Sequence, residues 1–218
     1  MRIALACWIA AGIAVGPAVA SAACSAMIGA PAFTVALKDP PPNYRFGLDT
    51  AALARVAGEN GMPGLKSEIP YGLTIGRYDL EIAVETDAVR EGSGYCAQLR
   101  TAHIEIGLRQ LDVLVDRRFP SGSCERDAVL GHESQHVDVF REAMQYYLPA
   151  VERTLATASL RLSTHVEDRV AARAAFLTPI TDALKPIFEA INGRARDGNM
   201  RVDTPENYAA VFKRCSHW

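Results

Sequence analysis

The sequence predicts an α+β fold: a small, mostly antiparallel sheet followed by a helical half. Three observations predict it. Apolar and polar residues alternate along Tyr78 to Glu85 and again from Ala102 to Val115. From Glu125 onward apolar residues recur at helical spacing instead. Helical stretches outweigh strands, and the two kinds are segregated along the chain, as in α+β proteins rather than in βαβ repeats.

Residues 1–23 read as a secretory signal peptide. Met1-Arg2 is a short positive start, Ile3 to Val19 is almost continuously apolar, and Ala18 to Ala23 offers small-x-small cleavage sites. Residues 24–218 are then enough for a single domain with its own core. No later stretch is long and apolar enough to span a membrane. The chain carries a net charge of −2, and losing Arg2 makes the remainder one unit more acidic. That balance gives no ground for a nucleic-acid or anionic-membrane partner.

Cys24, Cys96, Cys124 and Cys215 remain after the signal, an even set suited to an oxidising compartment. Of the three possible pairings, Cys96–Cys124 with Cys24–Cys215 is expected. No Cys-x-x-Cys spacing supports a zinc–cysteine site.

Residues 24–47 show little pattern and read as an N-terminal arm or short propeptide, extended through Asp39-Pro40-Pro41-Pro42-Asn43. Asp49 caps a short helix through about Ala57. The strand Tyr78–Glu85 follows, with Glu91-Gly92-Ser93-Gly94 as a turn. Ala102, Ile104, Ile106 and Leu108 alternate, and Leu111, Val113 and Val115 continue with shifted parity. That shift implies a bulge or turn near Arg109-Gln110. Ser123 caps a helix with no proline between Glu125 and Leu148. Beyond Pro149 helical spacing resumes from Val151 to Val166. A further helix is expected from Thr178-Pro179, kinked at Pro186, then a loop from Gly193 to Asn199. A last helix, capped by Asp203 or Thr204, runs to Phe212.

The chemistry sits in the first long helix, where His132-Glu133-Ser134-Gln135-His136 spells His-Glu-x-x-His. Positions i and i+4 share a helix face, so both imidazoles can reach one Zn2+ ion. Glu133 is rotated about a quarter turn away and can hold a water on that metal. Zinc lowers the pKa of such a water from about 15.7 towards about 7, and the carboxylate takes its proton. The plain alternative is a surface helix that happens to carry two histidines.

These residues resemble the zincin metallopeptidases, and the chain is similar to small secreted bacterial zinc peptidases. The resemblance implies a zincin-like domain over residues 24–218, with His132 and His136 as zinc ligands and Glu133 as general base. The metzincin extension is absent, since Val139 and Glu142 stand where Gly and His or Asp would be. No signature fixes the downstream Glu of gluzincins.

The third ligand is expected to be His165, if the chain reverses near Leu148-Pro149 and returns antiparallel. Glu167 is the runner-up. If the helix instead runs on through Pro149, a rise of about 1.5 Å per residue carries His165 away, and a C-terminal carboxylate such as Asp203 or Glu206 takes its place. The expected function is a secreted or periplasmic zinc-dependent hydrolase acting on peptide or protein substrates. The alternative is a non-catalytic, zinc-stabilised exported binding domain.

Overall fold

The computed structural model describes Cys24 and residues 30–62, 71–157 and 163–218. The expected signal peptide lies outside the described residues. The elements are β1 (Ala32–Lys38), β2 (Asn43–Leu48), α1 (Thr50–Glu59), β3 (Gly72–Glu91), β4 (Gly94–Asp116), α2 (Cys124–Thr157), β5 (Ser163–Val166), α3 (Arg169–Val202) and α4 (Pro205–Phe212).

β4 is the strand around which the sheet forms. β3 runs antiparallel to it along nearly its whole length, joined by a turn at Gly92-Ser93 in which Gly92 takes a positive φ of 62°. A strand has only two hydrogen-bonding edges, so β5, β1 and β2 lie end to end along the other edge of β4. β5 meets Tyr95–Gln98, β1 meets Thr101–Gly107 and β2 meets Asp112–Asp116.

The mostly antiparallel, zincin-like sheet expected from the sequence is therefore corrected. β1 and β2 both pair with β4 in parallel, while β3 and β5 pair with it antiparallel, so the five-stranded sheet is mixed. The stretch read as a patternless arm supplies both parallel strands. Their partner lies more than 60 residues downstream, and no local turn announces such a pairing.

The parity shift in β4 is a bulge. Arg77 pairs with Gln110 and Tyr78 with Leu108, so Arg109 is the extra residue. A second bulge at Arg100 lies where Glu85 pairs with Thr101 and Thr86 with Leu99. Each bulge flips the alternation once. Ala97 and Leu99, then Ala102 to Leu108, then Leu111 to Val115 thereby present one continuous face to the main core. The opposite face at the end of the ribbon carries Leu73, Ile75 and Leu114, which close over Leu53 and Ala57 of α1. Asp49 caps α1 by accepting from the Ala52 amide at 3.0 Å.

The helices differ from expectation in length. α2 does not reverse at Pro149 but continues to Thr157. The proline leaves only the carbonyl of Gln145 without its usual partner, and both residues are exposed, so water can serve it. Val151 and Leu155 are buried beyond the proline and hold the continuation in place. α3 likewise passes through Pro179 and Pro186, both exposed, and through the expected loop at Gly193–Asn199. Its N-cap is Asp168, which accepts from the Ala171 amide at 2.8 Å. Gly198 lets α3 approach α2 closely, since a Cβ there would lie 2.5 Å from Val139 Cγ1.

Two disulfides form, Cys24–Cys96 and Cys124–Cys215. The expected pairing is thus exchanged. Cys124–Cys215 fastens the chain after α4 to the first residue of α2, and Cys24–Cys96 fastens the chain ahead of β1 to β4 beside the hairpin tip.

Candidate metal centre

The His-Glu-x-x-His run lies in the middle of α2, whose first turn is capped by Ser123 Oγ accepting from the Arg126 amide at 3.2 Å. α2 rests on the beginning of β3. Gly72, Thr74 and Gly76 point to the same face of that strand, and two of the three have no side chain. A Cβ on Gly72 would stand 2.5 Å from Glu133 Oε1 and 2.6 Å from Val129, and one on Gly76 would stand 2.6 Å from the Phe140 ring. Between them Thr74 Oγ1 donates to Glu133 Oε2 at 2.7 Å. The helix is held close to the strand by absent side chains and located by two hydroxyls, since Tyr78 also donates to the Phe140 carbonyl at 2.6 Å.

α3 passes antiparallel over the other side of α2. His136 Nδ1 meets Asn199 Oδ1 at 2.9 Å, and one turn away on each helix His132 meets Asp203. The distances are His136 Nε2 to Asp203 Oδ1 3.1 Å, His132 Nε2 to Asp203 Oδ1 3.3 Å, and His132 Nε2 to His136 Nε2 3.3 Å. Ligands about 2.0–2.1 Å from a tetrahedral zinc stand about 3.3–3.4 Å from one another. The three atoms thus outline one face of such a tetrahedron, and this His-His-Asp cluster could hold a metal ion.

Asp203 is the C-cap of α3, and Thr204 takes over as N-cap of α4 by accepting from the Asn207 amide. That division leaves the Asp203 side chain to face the histidines. Tyr208, one turn into α4, donates its hydroxyl to Asp203 Oδ1 at 2.8 Å, and its ring lies 5.1 Å from that of His132. His132 Nδ1 is buried with no partner among the described residues.

The electrostatics follow from this enclosure. His132, Glu133 and His136 are buried, while the Asp203 side chain keeps 43% of its surface and opens the cluster to solvent. Burial raises the pKa of Glu133 above the ordinary carboxylate value, against the charge of His136 and the Thr74 hydrogen bond. Burial alone would raise Asp203 too, but hydrogen bonds from His132, His136 and Tyr208 hold it well below the usual range. His136 is raised; the Asp203 hydrogen bond and the Glu133 charge outweigh its desolvation. A metal at the triangle would replace the imidazole protons that these bonds require.

His132, Glu133 and His136 are thus brought together as the motif spacing implies. His165 is not brought to them. It lies on β5 opposite Cys96, with its ring 3.6 Å from Glu91 at the hairpin tip. Glu167 follows it at that end, and Glu206 is exposed in the first turn of α4. Asp203, the carboxylate named for the continuous-helix geometry, stands where the third ligand is needed. Thr74, Asn199 and Tyr208 had no ligand-spacing signal in the sequence, because only tertiary packing assembles them.

No protein-family model, no curated protein and no solved structure matches the chain.

Proposed function

We propose that the protein is an exported zinc-dependent hydrolase that cleaves peptide bonds. The observation that carries this reading is the triangle of His132 Nε2, His136 Nε2 and Asp203 Oδ1, with edges of 3.1–3.3 Å, beside a buried carboxylate on the same helix. A nitrogen and oxygen donor set with one side open to solvent is the pattern of catalytic rather than structural zinc. When bound there, zinc supplies a Lewis acid and acidifies a water beside it.

The chain's own residues do the rest. Asn199 orients His136, and Tyr208 orients Asp203. Glu133 takes a proton from water and returns it to the leaving amine, and a raised pKa brings it nearer the range in which a general base works. Thr74 fixes the carboxylate while it does so. Two disulfides are compatible with an exported protein. Among the described residues no helix is long and apolar enough to cross a membrane.

The test is casein or mixed-peptide hydrolysis by zinc-loaded protein, set against Glu133→Gln. The variant should keep its zinc and lose about 100-fold or more in rate. Equal rates in the two proteins would contradict the base.

One observation favours a second reading, a zinc-stabilised exported domain that binds without catalysis. Glu133 is enclosed, with Oε2 held by Thr74 and Oε1 against Gly72. On that reading zinc raises the melting temperature of both proteins and neither turns over substrate.

A further inference from the structure

Four aromatic rings gather where the residue before β3 meets the segment after α4. Tyr71 meets Phe119 edge-on at 5.4 Å, Phe212 at 5.9 Å, and Trp218 nearly face to face at 6.0 Å. Phe212 and Trp218 touch each other at 4.9 Å, and the indole N–H of Trp218 donates to the Phe212 carbonyl at 2.9 Å. The group has an inside and an outside. Phe119 is buried, but Phe212 keeps 43% and Trp218 38% of their surface. Together they leave a run of apolar ring surface open to solvent, and exposed apolar surface next to a reactive centre is a common mark of a binding region.

Two short paths join these rings to the metal centre. Tyr71 is bonded to Gly72, whose absent side chain makes room for Glu133 Oε1. Phe212 stands one helical turn beyond Tyr208 on α4, and Tyr208 donates to Asp203 Oδ1. Phe212 thus stands one helical turn from a residue that touches the triangle. Arg118 lies 5.0 Å over Tyr71, but its charge is met by Asp116 at 3.2 Å. The rings themselves offer apolar face, and the exposed Arg214 guanidinium lies against Gly131, one residue before His132.

Resting on the hydrolase reading above, we infer that Phe212 and Trp218 form a platform for a large apolar or aromatic side chain of the peptide substrate, adjacent to the bond that is cleaved. The substrate class is then peptides with Phe, Tyr or Leu at that place. If the rings serve only to fasten residues 213–218 to the body of the protein, no such selectivity exists.

The experiment uses zinc-loaded protein and paired fluorogenic peptides that differ by Phe or Ala on either side of the cleaved bond. The Phe peptide should be preferred about 10- to 200-fold in kcat/KM. Phe212→Ala and Trp218→Ala should each collapse that ratio towards one, with zinc affinity retained. Absence of a Phe preference, or equal losses on both peptides, would overturn the platform. Cleavage of neither peptide, nor of casein, would instead remove the hydrolase reading. The platform then stands or falls on fluorescence, because Trp218 is the only tryptophan in residues 24–218. The Phe peptide should shift its emission saturably and the Ala peptide should not; identical responses would overturn it.

Discussion

Histidine and carboxylate side chains gather at both ends of the β3–β4 ribbon, and the two ends do different things with them. At one end His132, His136 and Asp203 converge, and Glu133 lies buried against Gly72 and Thr74, which pair with Val115 and Val113. At the other, His165 pairs with Cys96 and faces Glu91 at 3.6 Å, with side chains 37% and 42% exposed. About 17 residues of β4 separate Cys96 from Val113, on the order of 50 Å of strand. Both ends are also fastened by a disulfide. What differs is convergence under burial. The first end holds three donor atoms at the spacing of a metal's coordination shell and excludes water from two of them. The second holds a half-exposed imidazole–carboxylate contact at 3.6 Å, and such surface contacts contribute little to stability. Residue type alone does not make a metal site; the elements that force donors together do.

The largest expected effect tests that contrast. His136→Ala and Asp203→Ala should each lower zinc affinity well beyond the 10- to 100-fold that loss of a neighbouring hydrogen bond costs, while His165→Ala should leave it unchanged. Isothermal titration of the three variants decides it. A loss at His165 comparable to that at Asp203 would place the metal elsewhere.

The two disulfides sharpen the same comparison. Each closes a long loop, with sequence separations of 72 and 91, so removing either pair by Cys→Ser should cost about 2–5 kcal/mol in denaturant unfolding. Only the pair Cys124–Cys215 should also weaken zinc binding. None of the α4 residues is buried, so that disulfide is a principal anchor for the helix that sets Tyr208 on Asp203. Equal effects of the two pairs on zinc affinity would refute this division.

A smaller effect is expected at the strand beneath α2. Gly72→Ala puts a methyl group against Glu133 and Val129 and should destabilise by about 1–3 kcal/mol, as overpacking does. Gly47→Ala, where a Cβ meets nothing within 4 Å, should be close to neutral. Thermal melts of the two proteins provide the check, and a neutral Gly72→Ala would mean that the close approach of α2 is dispensable.

The legible parts of the fold and site are those governed by neighbours in sequence. The i, i+4 spacing of His132 and His136 needs only a helix. The change of parity between Leu108 and Leu111 needs only the period of a strand, and it located the bulge at Arg109. Asp203 was not legible as the favoured ligand because its place depends on where the chain turns back. The reversal expected at Pro149 does not occur; α3 is the helix that returns onto α2, about a point near Asp168 that is about equally far from His132 and Asp203. A proline inside a helix costs about 3 kcal/mol locally. Burial of Val151 and Leu155 in α2, and of Ile180 and Leu184 in α3, offsets that cost where the proline faces solvent. The parallel pairing of β1 and β2 with β4 was hidden for a related reason: its register is set by partners more than 60 residues away.

The central claim is that His132, His136 and Asp203 are the protein ligands of one zinc ion. X-ray absorption at the zinc edge, on protein loaded with one equivalent, addresses it directly. The expected shell holds two imidazoles and further oxygen, all near 2.0–2.1 Å, and one imidazole disappears in His132→Ala. A shell containing sulfur near 2.3 Å, or one unaltered by His132→Ala, would contradict it.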